Sequence, residues 1–357
     1  MIPDGPARAF RDSAGKVRLI ATSYENWSLY GSSLDDVKPD CQPLFHGAER
    51  SDPAAFDDRG WIEATYTKDG HTVDALISNE WDAFRHKASA MKMAAACRAR
   101  QGTPGCMAYS INLAISNDSG RDFRYAPAGG QQVVAGTAYQ SKAPVRNGNL
   151  AADVLPAPRG FPTVSNIIER DGYFYAMVFD RGATAAEDGN CLFRTTDPGD
   201  ASQWRAWDGH SFTIRPVDTG ASNATAQPCP RIARGVLGWD VRSLSWNAKA
   251  KSYIAIMLAA SVNAAGQRVV GVYYTTSPDL LRWSESRLLL EAPSELDKTC
   301  KPPVHYPSML DPASQSRNFE TVGDTAYIYY TQYNVKGCQV SLDRDLRRLP
   351  VAIEPAR

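Results

Sequence analysis

The stretch "YYTTSPDLLRWSESRLLLE", Tyr273 to Glu291, joins two apolar segments through a Ser-Pro-Asp turn that is followed by Trp283. β-Branched and aromatic residues on both sides of a proline-containing turn are typical of two adjacent β-strands. The tryptophan a few residues after the turn has a structural meaning only if the pattern recurs along the chain.

The pattern recurs four more times. Each copy has a strand, a turn rich in Ser or Asp, and an aromatic or leucine residue that leads into another strand. The copies span residues 30–44, 113–127, 193–207, 273–287 and 338–351. Each copy follows a pair of apolar segments, and in four of the five pairs a polar or glycine-containing turn joins the two segments as in a β-hairpin. The chain therefore contains five units of four strands, at intervals of roughly 65–85 residues.

Four antiparallel strands repeated around an axis form the blade of a β-propeller. We therefore predict an all-β chain that forms a single five-bladed propeller domain over residues 1–357. The blades are expected at approximately 4–50, 57–128, 160–216, 237–292 and 303–352. The aromatic residue after each outer turn (Phe123, Trp204 and Trp283 in three of the copies) is predicted to pack between adjacent blades rather than to bind a ligand.

Two segments interrupt the repeat. Residues Trp81 to Gly102 are rich in Ala, Met, Lys and Arg, which predicts a short helix inserted into the second blade. Residues 219–235 are rich in Pro, Ser and Ala and predict a loop before the fourth blade.

The charge and hydropathy of the chain exclude several classes of function. Its 39 basic and 39 acidic side chains leave no cationic surplus to replace the counterions of a nucleic acid. The longest apolar runs are too short to span a bilayer, so we expect a soluble protein without a membrane span.

Seven cysteines, at positions 41, 97, 106, 191, 229, 300 and 338, lack the spacing of a zinc site. We expect disulfides, with Cys97–Cys106 as the first pair because few residues separate them, and with Cys191–Cys229 and Cys300–Cys338 as further candidates. Disulfides indicate a secreted or periplasmic protein. The N-terminal sequence has no signal peptide, so either a leader has been removed or the protein is cytoplasmic.

Candidate functional residues follow from their place in the repeat. Ligands of propellers bind where loops enter the first strand of each blade and leave the second strand. The loops that enter first strands contain Asp4 and Asp240, at nearly equivalent positions, and the loops that follow second strands contain Glu80 and Asp180. Three of these carboxylates also have a simpler interpretation: Asp4 could cap a turn, Asp240 could pair with Arg242, and Asp180 could be a turn residue.

Converging carboxylates flanked by aromatic rings suit the hydrolysis of a glycosidic bond. One carboxylic acid protonates the leaving oxygen, while an ionised carboxylate activates water or attacks the anomeric carbon. Crowded carboxylates raise the pKa of at least one of them, which keeps the acid protonated. The residues predicted to contact the sugar are Trp239, Arg242, His305 and Tyr306.

With this architecture the chain resembles the five-bladed β-propeller glycoside hydrolases, the group that includes families 43, 62, 32, 68 and 117. The resemblance covers nearly the whole chain, and it implies a general-base Asp at the start of the first blade, which "IPDGPARAF" matches with Asp4. It also implies a second Asp and an acidic Glu, for which Glu63 or Glu80 and Asp180 are possible counterparts. The Trp-Ala-Pro-Asp run usual in those families is replaced by "RGWIEATYT".

Three functional hypotheses remain open. The first is a glycosidase acting on a polysaccharide or oligosaccharide, for example one that contains arabinofuranose, and the second is a carbohydrate-binding propeller without catalysis. The third is a propeller that binds another protein, which the balanced charge neither favours nor excludes. None of them requires a cofactor. A structural calcium ion in the central channel is a further expectation, with His305 as a candidate ligand.

Overall fold

A computed structural model of the chain describes residues 2–82, 85–86, 107–125, 131–137, 145–146, 149–150, 159–182, 185–218, 227–296 and 298–354. Strands dominate these ranges, in which the helices are single 3₁₀ turns: Pro53–Ala55, Ala185–Glu187 and Ala201–Gln203. None of the described helices has the length and apolar composition needed to cross a bilayer. The prediction of an all-β chain is therefore confirmed.

The first unit is an antiparallel sheet whose strands follow chain order: β1 (Pro3–Arg11), β2 (Val17–Thr22), β3 (Ser28–Gly31) and β4 (Lys38–Asp40). The turn between β1 and β2 forms because the Asp12 carboxylate accepts hydrogen bonds from the backbone N–H groups of Ala14 and Lys16, both at 2.9 Å. Gly15 adopts a φ of 75° in this turn, which glycine tolerates without steric strain. Local sequence therefore determines this hairpin.

The second and third units share one sheet. The second unit contributes β5 (Arg59–Tyr66), β6 (Val73–Asp82), β7 (Met107–Ser116), β8 (Arg124–Tyr125) and β9 (Val133–Thr137). Two short strands follow, β10 (Val145–Arg146) and β11 (Asn149–Leu150), and they pair with each other. The third unit contributes β12 (Arg159–Val164), β13 (Ile168–Arg170), β14 (Tyr173–Arg181), β15 (Gly189–Thr195), β16 (Arg205–Trp207), β17 (Phe212–Ile214) and β18 (Val217–Asp218). The separate sheets predicted for these units are joined, because β12 pairs with β7 and β18 with β9 in parallel.

The fourth unit has strands β19 (Val241–Asn247), β20 (Ser252–Val262), β21 (Arg268–Ser277) and β22 (Arg287–Glu291) in antiparallel order. The last part of the chain contains β23 (Val304–Leu310), β24 (Thr321–Val322), β25 (Thr325–Lys336) and β26 (Gln339–Ala352). The prediction of four strands in the fifth unit is wrong for the described residues. Its sheet contains β23, β25 and β26, because β24 pairs in parallel with β19 of the fourth unit.

The first strands of the five units form a closed ring: β1 contacts β5 and β23, β12 contacts β5 and β19, and β19 contacts β23. Five apolar clusters occupy the junctions between neighbouring units, including the junction between the fifth unit and the first. This radial arrangement is that of a β-propeller. It supports a count of five blades, whose residue boundaries stay predictions.

The recurring aromatic residues lie at these junctions. Phe123 is 2 % exposed and packs between the first and second units, and Trp204 is fully buried between the second and third. Trp283 is partly buried against the cluster between the third and fourth units. Their predicted role in packing between adjacent units is confirmed.

The helix predicted for Trp81 to Gly102 does not begin at Trp81. Trp81 and Asp82 are the last two residues of β6, where they pair with Ala108 and Met107 of β7. Cross-strand hydrogen bonds extend this strand past polar residues that read as a loop in the sequence. Residues 83–84 and 87–102 of the predicted helix, and residues 219–226 of the predicted loop, lie outside the described residues.

Two disulfides attach loops to this framework. Cys191 pairs with Cys229 and Cys300 pairs with Cys338, each across a separation of 38 residues, in agreement with the two predicted pairs. The pair Cys97–Cys106 lies outside the described residues. Cys41 is exposed and forms no disulfide with the cysteines that the structure describes.

We expect a thiol reductant to open Cys300–Cys338 before Cys191–Cys229. Cys191 and Cys229 are 0 % and 4 % exposed, whereas Cys338 is exposed, and exchange requires a thiolate to reach a sulfur atom. Timed alkylation followed by peptide mass spectrometry measures the order. Opening either loop should lower the free energy of unfolding by about 4 kcal/mol in the chain-entropy estimate. Equal rates of reduction would contradict the expected protection of the buried pair.

Candidate active site

The candidate site lies at the end of the ring where first strands begin and second strands end. Asp4 is the second residue of β1, Glu80 lies in β6 opposite Arg59 of β5, and Asp240 directly precedes β19. Antiparallel pairing puts the end of each second strand beside the start of the first, so these carboxylates lie at the same end of the ring. Glu80 and Asp180 are strand residues, which corrects the prediction that they lie in loops.

The Asp4 carboxylate is held by two donors from the fifth unit. It accepts a hydrogen bond from the Tyr306 hydroxyl at 3.1 Å and forms an ion pair with Arg344. Burial raises the pKa of Tyr306 well above its usual value, and the charge of Asp4 adds to this effect. The Tyr306 hydroxyl therefore keeps its proton and donates a hydrogen bond to Asp4. The Arg344 guanidinium lies 4.4 Å from the centre of the Tyr333 ring. Asp4 therefore connects two units rather than only capping a local turn.

Asp240 forms the ion pair with Arg242 that its spacing suggested. The Arg242 Nε atom lies 2.5 Å from Asp240, and its Nη1 atom lies 3.4 Å from the carboxylate of Glu63 in β5. Glu63 is 4 % exposed, and burial raises its pKa, while the charges of Arg242 and Arg8 oppose the increase. The Arg242 guanidinium also lies 5.2 Å from the centre of the Tyr306 ring, which links this group to Asp4.

Glu80 is a carboxyl group in this region whose pKa lies close to neutral pH. It forms an ion pair with Arg59, yet its pKa is raised to about 7. Burial is the largest cause of the increase, Arg59 opposes it, and the charge of Asp4 reinforces it. A carboxyl group with this pKa is protonated in a large fraction of molecules at neutral pH, so Glu80 can act as a proton donor.

Charge interactions connect four carboxylates, Asp4, Glu63, Glu80 and Asp240, which we call the central carboxylates. The charges of Asp4 and Asp240 both raise the pKa of Glu63, and the charge of Asp4 raises that of Glu80. These like charges add to the effect of burial, so the ionised forms of Glu63 and Glu80 are disfavoured.

Asp180, the fourth predicted catalytic residue, has a different set of partners. Its carboxylate forms an ion pair with Arg231 at 2.8 Å and lies next to the Cys191–Cys229 disulfide. Burial raises the pKa of Asp180 to about 6, and Arg231 opposes the increase. One oxygen of Asp180 and both sulfur atoms lie within 4.8 Å of one another, but the sulfur atoms are bonded to each other. Asp180 therefore holds the 227–237 loop, and the charged groups that shift its pKa are Arg231 and Asp188 rather than the central carboxylates.

The four residues predicted to contact a sugar line one cavity. Trp239, Arg242, His305 and Tyr306 surround a volume of about 280 Å³ together with Asp240. Trp239 is 43 % exposed, which leaves a ring surface available to a ligand. This cavity adjoins a second one of about 450 Å³, because both are lined by Arg268, Val270, Ser294 and Glu295.

His305 is a wall residue of this cavity. Its Nε2 atom lies 2.7 Å from the carbonyl oxygen of Ser294, and its ring packs 5.1 Å from the ring of Tyr333. Burial lowers the pKa of His305, so the imidazole is neutral at pH 7 and donates its N–H to the carbonyl.

Sequence reasoning missed the arginines that pair with the carboxylates. Arg344 lies in β26, in a charged stretch that reads as an ordinary solvent-facing strand, and its separation from Asp4 leaves no local signal. Arg59 had a signal, because pairing of the hairpin β5–β6 puts it opposite Glu80. Glu63 was considered only as a possible counterpart of the acidic Glu that the family resemblance implies. Its position as a charged residue within an apolar strand was a signal in the sequence.

No protein-family model and no curated protein matches this chain. Among solved structures, an α-L-arabinanase from Cellvibrio cellulosa complexed with arabinohexaose is similar at a TM-score of 0.51 and 12 % identity, over 98 % of this chain and 92 % of the arabinanase. A thermostable family-43 glycoside hydrolase is similar at a TM-score of 0.49 and 11 % identity, over 99 % of this chain and 91 % of that protein. At this identity the arabinanase similarity shows the fold, and it confirms the predicted β-propeller.

Proposed function

We propose that this protein is a glycoside hydrolase whose active site contains the central carboxylates. The observation that carries the proposal is the contrast between two of them: Asp4 is held by Tyr306 and Arg344, whereas burial keeps a proton on a large fraction of Glu80. Glycosidic bond hydrolysis requires this pair of states, an ionised carboxylate and a protonated one. The fold shared with an arabinanase supports the proposal at the level of architecture.

In the proposed mechanism Asp4 acts on water or on the anomeric carbon, and Glu80 protonates the leaving oxygen. Arg242 keeps Asp240 and Glu63 in place and presents a cation to sugar hydroxyl groups. Trp239 and Tyr306 offer ring surfaces to the apolar face of a sugar. Asp180 supports the neighbouring loop, since its partner is Arg231.

We propose an oligosaccharide or polysaccharide as the substrate, with arabinofuranose-containing chains as the first candidates. The two adjoining cavities have room for more than one sugar unit beside Asp240. The similar arabinanase was solved with arabinohexaose, which makes this oligosaccharide the first ligand to test. The two disulfides support a secreted or periplasmic location.

The alternative is a propeller that binds carbohydrate without cleaving it. A specific observation favours it: Asp4, Glu80 and Asp240 each form an ion pair with an arginine. An arginine that remained on a carboxylate in the bound state would prevent it from reaching the sugar or a water molecule.

Incubation with a panel of oligosaccharides and polysaccharides, including arabinohexaose, separates the two functions. We expect the full chain to release shorter sugars from at least one member, as measured by chromatography of the products. The Asp240→Asn variant should bind the same sugar in calorimetry while releasing less product, because Arg242 loses its charged partner beside the cavity. Binding without product across the whole panel would favour the carbohydrate-binding alternative.

A further inference from the structure

Arg8 is a charged residue in the middle of β1 that the proposed mechanism does not use. Its side chain is 3 % exposed, and its guanidinium donates hydrogen bonds to backbone carbonyl oxygens of four first strands. Its Nε atom donates to the carbonyl oxygen of Glu63 in β5. Its Nη2 atom donates to the carbonyl oxygens of Arg242 in β19 at 2.6 Å and Val164 in β12 at 3.5 Å. Its Nη1 atom donates to the carbonyl oxygen of Ala7 in β1 at 3.2 Å.

This hydrogen-bond pattern locates Arg8 at the axis of the propeller. A single guanidinium spans only a few ångströms, so carbonyl groups from β1, β5, β12 and β19 can all reach it only where these strands converge. Carbonyl oxygens that converge on one point are also the ligands that a calcium ion takes in proteins. In this chain those oxygens already accept hydrogen bonds from Arg8.

The groups around Arg8 leave no excess negative charge for a metal ion. Arg8 and Arg242 carry two positive charges, and Glu63 and Asp240 carry two negative charges when ionised. A divalent cation at the axis would meet a fixed guanidinium and would add an uncompensated charge to a buried site. The calcium expected in the central channel therefore does not fit the residues found there.

We propose that the Arg8 guanidinium is the built-in axial cation of this propeller, which replaces a metal ion in the central channel and holds the backbones of Glu63 and Arg242 together. The bidentate, planar shape of the guanidinium suits this role, because it directs several N–H groups outward to different strands at once. The inference rests on the fold and does not depend on hydrolysis.

The first test uses the wild-type chain and its thermal melting. We expect the Tm to be the same in calcium chloride, in magnesium chloride and in a chelator. A specific divalent site at a metal concentration 100 times its Kd would raise the Tm by about 4 °C for a chain of this size. A rise of that size with calcium, or a fall with chelator, would overturn the proposal.

The second test is chemical rescue of the Arg8→Ala variant. We expect its Tm to fall by about 5 °C, because buried carbonyl groups lose their donors, and to recover partly in low-millimolar guanidinium chloride. Guanidinium unfolds proteins only in the molar range, so a rise in Tm at low concentration reports occupation of the cavity.

Arg11→Ala is the matched control. Arg11 lies on the same strand and also donates to carbonyl groups, those of Ser314 and Ser316 at 2.8 and 2.5 Å, but away from the axis. Guanidinium should raise the Tm of neither this variant nor the wild type, and rescue confined to Arg8→Ala supports the proposal. An Arg8→Ala variant that guanidinium does not stabilise argues against it, and if that variant does not fold, the metal test on the wild type decides.

Discussion

The Asp4→Asn variant is expected to lose hydrolysis by about 10³-fold in kcat while it keeps its fold and its affinity for the sugar. The amide retains the size of the side chain and can still accept a hydrogen bond from Tyr306. It removes the negative charge that would activate water or attack the anomeric carbon. Steady-state kinetics on the sugar identified by the panel, with calorimetric binding in parallel, measure both effects.

Asp171→Asn is the control for this variant. Asp171 lies in the turn between β13 and β14, at the other end of the strands, and its φ of 54° suits asparagine as well as aspartate. We expect wild-type activity from this substitution. If Asp4→Asn also retained wild-type kcat, the role assigned to Asp4 would be wrong even if the protein proved to be a glycosidase.

The Glu80→Gln variant should lower kcat by about 10²–10⁴-fold on a natural sugar and by much less on an aryl glycoside. Glutamine cannot protonate the leaving oxygen. The leaving group of an aryl glycoside is a phenolate, which departs without protonation because the corresponding phenol has a low pKa. In the wild type, Glu80 has a pKa of about 7, raised by burial. Because the acid must be protonated, hydrolysis should fall as the pH rises through about 7, and this alkaline limb should be absent from the variant.

Glu169→Gln provides the matched control for Glu80. Glu169 is an exposed residue of β13, and its carboxylate accepts a hydrogen bond from the backbone N–H of Gly172 at the far end of the third unit. Its pH profile should match that of the wild type. An alkaline limb that persists unchanged in Glu80→Gln would assign the proton donor to another residue, and Glu63 would be the next candidate.

The fold was accessible from the sequence because its signals are local. Each hairpin has its own turn chemistry, as Asp12 and Gly15 show in the first unit. The recurring aromatic residue marked the junctions between units, where Trp204 is fully buried. Cross-strand pairing of Trp81 and Asp82 with β7 was not accessible, because their partners Ala108 and Met107 lie 27 and 25 residues further along the chain.

The candidate site was accessible only in part. Trp239, Arg242, His305 and Tyr306 do line one cavity with Asp240, since position within a repeat predicts which end of the propeller a residue occupies. Asp180 also reaches the predicted end of its strand, where it pairs with Arg231, and its catalytic role stays a prediction. The position of a residue within a repeat predicts how far along the propeller axis it lies. The direction of its side chain depends on the residues that surround it in the folded structure.

By itself, the sequence determined the repeated strand pattern, the radial fold and the end of the propeller where carboxylates collect, because turns and apolar alternation act over short distances in the chain. Only the tertiary structure decided which carboxylates interact and which cation each one meets. Arg344 lies 340 residues from Asp4, and Arg8 reaches carbonyl groups up to 234 residues away. Such contacts form when the ring of units closes, and electrostatic interactions depend on distance in space rather than on separation along the chain.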